Sequence, residues 1–329
     1  MKAVVFTRYG SPDVLELKEV DKPTPADDEV LIRVHATSLN DWDYGAMLGG
    51  DFVNRLFFGL LRPKPTRQIL GSDVAGRVEA VGRNVTRFQI GDEVFGDLSG
   101  TWGGFAEYVC ARESALEQKP PGMTFEQAAA TPQTFLLALQ ALREKARIQP
   151  GQTLLINGGG GGVGTFGIQI ARAQGLEVTG VDSADKLELM RSLGAAHVID
   201  YRREDFTASG KRYDRILDVK TMRSVLDCAR ALKPDGIYIT VGGSMPRLFQ
   251  ALLLMPWVRM TTKKSVRILA LKANKGLLDI QELFETGKVV PVIDGPYALS
   301  EVPNAFRLFG EGRHKGKVVI TLPVLPENA

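Results

Sequence analysis

The chain has 329 residues, 44% hydrophobic and 24% charged, with a formal net charge of +3. That is room for about two globular domains, and so small a charge, with its basic residues scattered, excludes a nucleic-acid partner. Two cysteines in different regions, Cys110 and Cys228, exclude a disulfide framework and point to a reducing compartment.

In chain order, Met-Lys-Ala-Val-Val-Phe at the start has no signal-peptide layout and reads as an opening strand, so a cytoplasmic protein is expected. Short strands are predicted at Ala3–Thr7, Glu29–Ala36, Asp73–Val81, Glu93–Gly96 and Phe105–Val109, divided by turn signals such as Asp21-Lys-Pro-Thr-Pro25. This reads as a compact β-barrel-like domain. Lys119-Pro-Pro-Gly122 is a linker signal, and Thr124 with Gln127 is set as a capping box for a following helix. Helical apolar spacing continues over Thr134–Ala146.

The most informative stretch is Gln152-Thr-Leu-Leu-Ile-Asn-Gly-Gly-Gly-Gly-Gly-Val-Gly164. An apolar strand runs into glycines and then into a helical pattern, and the next apolar strand, from Glu177, closes on Asp182. Read as GxGxxG, the glycines are Gly159, Gly161 and Gly164. Glycine there permits the tight turn, close approach to a pyrophosphate and close packing of helix on strand. The exposed amides at the helix start face the phosphate charge, and Gly160, Gly162 and Val163 are expected beside the cofactor. A five-glycine run can also be a flexible loop, but the flanking strand, helix and acid argue for a dinucleotide site.

Strand–helix alternation then predicts a parallel sheet, with strands at Thr153–Ile156, Glu177–Val181, His197–Ile199, Tyr213–Asp218, Gly236–Val241 and Ser265–Ala270. Helices are expected at Gly164–Gln174, Ala184–Leu193, Thr221–Leu232 and Asn274–Thr286. The terminal run Gly316-Lys-Val-Val-Ile-Thr-Leu322 is a strand expected to return to the first domain. The expected class is therefore α/β, with a barrel-like domain over 1–123, joined again by 291–329, and a doubly wound domain over 124–290. The longest apolar stretch, Leu248 to Val258, contains Gln250 and Pro256 and is too short to span a bilayer.

Across nearly its whole length the chain resembles the medium-chain dehydrogenase/reductases, in their zinc-free quinone oxidoreductase branch. The residues carrying this are Ala36-Thr-Ser-Leu-Asn-Asp-Trp-Asp43, Leu70-Gly-Ser-Asp-Val-Ala-Gly-Arg-Val78, Gly91-Asp-Glu-Val-Phe-Gly96, Gly103-Gly-Phe-Ala-Glu-Tyr108, the glycine run, Leu193-Gly-Ala-Ala-His-Val-Ile-Asp-Tyr201 and Gly312-Arg-His-Lys-Gly-Lys-Val-Val319. The resemblance implies a GroES-like catalytic domain, a Rossmann domain with a cleft between them, and a homodimer joined through the Rossmann sheet edge.

In the zinc-dependent branch the catalytic metal takes a Cys, a His and a second Cys; similarity puts Asn40, Ser72 and Gln133 at those places. A catalytic zinc needs about three ligands drawn from His, Cys and carboxylates, so no zinc is expected. Hydride delivery to an already electrophilic quinone or α,β-unsaturated carbonyl remains feasible, the protein supplying orientation and hydrogen bonds.

Asn40 is expected to donate to the acceptor oxygen or the nicotinamide ribose. Tyr44 is either a proton donor or packing. Asp43 and Lys317 form a candidate pair, which resemblance puts behind the reacting groups and near the pyrophosphate; a salt bridge tying down the last strand is the plainer reading. Asp73 reads as structural. Thr131 and Val241 are expected beside the cofactor.

Asp182 favours NAD(H), because its carboxylate accepts from ribose hydroxyls and repels a 2′-phosphate. Ser183, Lys186 and Tyr201 favour NADPH, since similarity matches the last two to 2′-phosphate positions and Arg202 and Arg203 add positive potential; the plainer reading of Lys186 is a solvated helix-face residue or a partner for Asp182. The balance goes to NADP(H), with NAD(H) use expected as well. Two apolar segments, Phe52–Leu61 and Leu248–Val258, wall either a pocket for a small lipophilic acceptor or an interface, with a membrane-surface role for 248–258 the weaker alternative that Arg259, Lys263, Lys264 and Arg267 keep open.

The function expected is zinc-independent, NAD(P)H-dependent reduction of a quinone or conjugated carbonyl. The alternatives are an alkenal or enoyl-thioester reductase of the same superfamily and, from another class, a non-catalytic NADPH-binding sensor or assembly protein.

Overall fold

Residues 1–50, 52–243 and 245–323 are described by a computed structural model, so the end of the expected return segment, 324–329, lies outside the described residues. The chain divides into two compact units, Met1–Gln133 with Ala273–Gln281 and the segment from Val292, and Thr134–Lys272 with Glu282–Pro291.

In chain order, β1 (Lys2–Val5) and β2 (Glu16–Glu19) form an antiparallel ribbon. Then come β3 (Glu29–Ser38), α1 (Asp41–Leu48), α2 (Phe52–Phe58), β4 (Asp73–Val81), β5 (Glu93–Asp97), β6 (Tyr108–Arg112), β7 (Glu117–Gln118) and α3 (Phe125–Ala129). β3 is the centre of the first sheet, bonded to β4 and β6, and its pairing with β4 shifts register twice. Such bulges bend a strand and tighten its twist, curving the sheet around a core of Phe6, Ile32, Leu39, Phe58, Phe105 and Phe306. The strand expected from Phe105 begins at Tyr108, because Phe105 N–H is held by the Leu70 carbonyl outside the ladder.

The expected capping box starts α3: the Gln127 N–H donates to Thr124 Oγ1 at 3.2 Å and the Thr124 N–H to Gln127 Oε1 at 3.0 Å. α3 packs on β3 and β4, and Ser38 Oγ donates to the Ala129 carbonyl at 2.7 Å. The first unit therefore runs ten residues past the expected boundary at 123, to Gln133.

The second unit holds α4 (Pro132–Gln140) from Thr134 on, then β8 (Thr153–Asn157), α5 (Gly162–Ala173), β9 (Glu177–Asp182), α6 (Leu187–Ser192), β10 (His197–Asp200), β11 (Tyr213–Asp218), α7 (Val225–Arg230), β12 (Leu232–Thr240), α8 (Met245–Thr262) and β13 (Ser265–Ile268). Its six strands pair in parallel in the order β10-β9-β8-β11-β12-β13. Strand order reverses beside β8, so β8 and the loop after it lie at the switch point where such sheets bind ligands.

The chain continues through α9 (Asp279–Glu285), β14 (Ile293–Ala298), α10 (Val302–Gly310) and β15 (Lys317–Thr321). A helix was expected from Asn274, but that residue is left-handed (φ 59°) and its side chain clasps the Asp97 backbone at 2.8 and 2.9 Å, which delays the helix to Asp279. β15 pairs antiparallel with β3, Val319 opposite Ser38 and Thr321 opposite Ala36, so the closing strand does return to the first sheet.

Candidate active site

Two groups of the expected residues are assembled, one in each unit. In the first, Asn40 ends the segment after β3 and caps α1. Its backbone N–H donates to Asp43 Oδ2 at 2.9 Å, and the other Asp43 oxygen accepts the Gly71 N–H at 2.9 Å. The Asn40 amide is fully engaged. Nδ2 donates to Ser72 Oγ and to Asp73 Oδ2, both at 2.9 Å, while Oδ1 accepts from the Lys317 ammonium.

Asp73 is the hub of this cluster. Its Oδ2 also takes Ser38 Oγ at 3.2 Å and Lys317 Nζ at 3.0 Å, and its Oδ1 takes the Gln133 N–H at 3.2 Å. The Gln133 side chain in turn donates to Ser99 Oγ at 3.2 Å, and Ser99 donates to Asp97. Burial pushes the Asp43 carboxyl up to about 7 against the pull of the Gly71 and Asn40 amides. Burial, and next the charge of Asp73, push Asp97 up to about 7.

Two expectations change here. The ion pair of Lys317 is with Asp73, not Asp43, and its buried ammonium is turned onto Asn40 and Asp73 rather than held out for a pyrophosphate. Both amide hydrogens of Asn40 are used within the cluster, so it orients its neighbours and has no hydrogen left for an acceptor oxygen. Tyr44 lies apart: its ring packs 6.3 Å from Phe306 and 5.7 Å from Phe309, and its hydroxyl rests where a Cβ on Gly310 would sit. These contacts are those of the packing alternative. Thr131, also in this unit, turns its hydroxyl back to the Gln127 carbonyl at 2.7 Å.

The second group surrounds the glycine loop. Gly161 is the N-cap of α5, and Gly162, Val163 and Gly164 form its first turn, where amides have no partner within the helix. A Cβ on Gly164 would collide with the Gly158 carbonyl, and one on Gly160 would meet the Lys186 stem at 2.7 Å. Gly159 N–H is held by the Val181 carbonyl at 3.0 Å, fixing the loop to the end of β9.

Asp182 closes that strand as expected, and its carboxylate is built into the loop. Oδ2 accepts the Gly160 N–H and Oδ1 the Ser183 N–H, each at 2.9 Å. The Lys186 ammonium lies 3.6 Å from Oδ1, and burial holds it below the usual lysine range while Asp182 pulls the other way. Lys186 is therefore an inward partner of Asp182, not a solvated helix-face residue. Tyr201 follows β10, its N–H donating to the Asp182 carbonyl at 3.2 Å and its exposed ring carrying Arg202 at 5.5 Å. Val241, after β12, bonds through its N–H to the Asp218 carbonyl at 3.2 Å.

Residues 26–121 match the family described as "Alcohol dehydrogenase GroES-like domain", and residues 193–320 match that described as "Zinc-binding dehydrogenase". The chain is 36% identical to the 2-methylene-furan-3-one reductase of Solanum lycopersicum, over 97% of this chain and 79% of that one. It is 31% identical to a quinone oxidoreductase of Pseudomonas aeruginosa, over 97% and 99%. The solved structure of a quinone oxidoreductase from Coxiella burnetii superposes with a TM-score of 0.87 at 30% identity, covering 98% of this chain and 99% of that one. The chain belongs to the medium-chain dehydrogenase/reductase superfamily.

Within that superfamily it is an oxidoreductase of the quinone oxidoreductase-like group, and such enzymes work with a nicotinamide cofactor. Sequence reasoning treated Asp73 as scaffold and passed over Asp97. What singles both out is burial of a charged side chain, which apolar neighbours in sequence (Val74, Phe95) announce only weakly. The Phe52–Leu61 segment is α2 with an exposed apolar continuation, and Leu248–Val258 lies inside α8.

Proposed function

We propose that this enzyme reduces α,β-unsaturated carbonyls or quinones with NAD(P)H and without a bound zinc ion. The observation that carries the reading is the Lys317 ammonium seated on Asn40 and Asp73. In the zinc branch the positions of Asn40, Ser72 and Gln133 hold the metal. Here the amide and hydroxyl of the first two are spent on each other, and a lysine charge 3.0 Å from Asp73 would repel a dication. The residues present do not fit zinc, although one matching family bears that word in its description.

The glycine loop does fit a dinucleotide. The first-turn amides of α5 would hold its pyrophosphate, and Asp182, Ser183, Lys186 and Tyr201 its adenosine ribose. When bound, the cofactor supplies hydride. The chain's own part is to hold the acceptor and to offset negative charge gathering on the acceptor oxygen. Lys317, held by Asp73 and Asn40, would serve that task through its charge and not by direct contact with the acceptor oxygen. No metal is needed, because a conjugated acceptor spreads the added charge over carbon and oxygen.

Two relatives, the 2-methylene-furan-3-one reductase and the NADPH-dependent alkenal/one oxidoreductase of Arabidopsis thaliana, support conjugated carbonyls as the first class to try, and the second supports NADPH. Asp182 keeps NADH in view. We further propose a homodimer through β13, the edge strand of the parallel sheet. The test is NADPH oxidation by chelator-treated protein, with a 2-alkenal and an ortho-quinone side by side. Turnover with either supports the reading; strict dependence on added zinc would overturn it. Binding of NADPH with no turnover of any acceptor would favour the sensor alternative.

A further inference from the structure

α8 carries two apolar faces. One, with Ala251 and Val258 at its centre and Leu254 and Met255 at its margin, packs into the core of the second unit. The other points to solvent. Phe249, Leu252, Leu253, Trp257 and Met260 are 61%, 57%, 61%, 52% and 85% exposed, and Pro256 between them is exposed too. Their positions step by three and four along the helix, so they form one continuous stripe across about three turns. A stripe of that size is not the scattered exposure that every surface shows.

The charge carried by the helix itself has one sign. No acidic residue occurs between Asp235 and Asp279, while Arg247, Arg259, Lys263, Lys264 and Arg267 fall on the helix and just beyond it. Arg259 and Lys263 are exposed; Lys264 and Arg267 bond to the carbonyls of Ala229 and Lys145. On α7, which packs against α8, Asp227 is already held by Ser224 and Arg230.

We propose that this face of α8 docks the protein onto an anionic lipid bilayer surface. Apolar residues including a tryptophan, flanked by basic residues and no acids, are what the headgroup boundary of such a bilayer selects. A second copy is the poorer occupant, because pairing two such stripes brings Arg259 and Lys263 among like charges with no carboxylate on the helix to answer them. Pro256 also sets the depth. It leaves the Leu252 carbonyl without its helical donor, a group tolerated among headgroups and water but not in hydrocarbon. Among the described residues no helix is long and apolar enough to cross a membrane, so the contact is one of lying on the surface.

The experiment is flotation of the full chain with NADPH on vesicles of phosphatidylcholine mixed with phosphatidylglycerol, and on vesicles of phosphatidylcholine alone. The wild type is expected to float with the anionic vesicles only. Arg259→Gln with Lys263→Gln should weaken that binding about tenfold or more, and Phe249→Glu with Leu253→Glu should abolish it. All four residues are exposed, and unchanged NADPH affinity and melting temperature would establish that the variants are folded. A wild type that stays at the bottom, floats equally on uncharged vesicles, or floats unaffected by the two glutamates overturns the proposal. So does a wild-type assembly that the glutamates halve in mass while flotation is absent, which would make the stripe a contact between copies.

Discussion

Lys317 Nζ lies 3.0 Å from Asp73 Oδ2, with 3% and 0% of the two side chains exposed. β15 thus delivers a cation into a cluster otherwise made of carboxylates, amides and hydroxyls. Removing one member of a buried pair strands the other charge, so Lys317→Met should cost about 3–5 kcal/mol in urea unfolding. Adding Asp73→Asn should return part of that, since the amide keeps an acceptor and sheds the charge.

Asp182 should govern cofactor choice. Asp182→Gly removes the acceptor for ribose hydroxyls, the charge opposing a 2′-phosphate, and one partner of the Lys186 ammonium. The NADPH/NADH ratio of kcat/KM should rise by about tenfold or more, the worth of a hydrogen bond to a charged group. An unchanged ratio would remove the role.

Gly164→Ala should lose cofactor binding before anything else. The new methyl collides with a backbone carbonyl, not with a flexible side chain, so the loop must shift away from α5. Overpacking of this kind costs about 1–3 kcal/mol, and NADPH fluorescence titration should find affinity lowered by at least about tenfold.

Tyr44→Phe should leave turnover unchanged, because the phenol is packed on α10 and away from the Asn40 cluster. Gly310→Ala, which drives a methyl into that hydroxyl, should instead lower the melting temperature. Slow turnover in the phenylalanine variant with normal cofactor binding would restore the proton-donor role.

Stability should fall as pH rises from 3.8 towards about 7. The Asp97 carboxyl moves from its ordinary 3.8 to about 7 on folding, so the native state binds the extra proton between those values. Its stabilising contribution is complete below 3.8 and lost as pH climbs through about 7, and Asp43 acts in the same direction. Asp97 Oδ2 is buried without a hydrogen-bond partner, which disfavours the charged form. Asp97→Asn should therefore flatten the dependence of melting temperature on pH, and an unaltered slope would assign it elsewhere.

Local signals made much of this legible in the chain. Gly159, Gly161 and Gly164 announce the phosphate loop because each glycine answers a steric demand of the turn. Asn40 stood out by occupying a position where related chains hold metal. The partnership of Lys317 with Asp73 was hidden because it depends on β15 pairing with β3, a contact between the two ends of the chain. Tyr44 and Lys186 were ambiguous for another reason. Whether a long side chain turns inward or outward is decided by what packs beside it, here α10 in one case and the glycine loop in the other. The helix expected from Asn274 failed because that side chain is engaged with the Asp97 backbone.

The return of β15 to β3 also orders events in time. Asn40, Asp43, Ser72 and Asp73 are all synthesised before Lys317, the lysine that completes their cluster. Until then the acidic half of the cluster waits without its counterion.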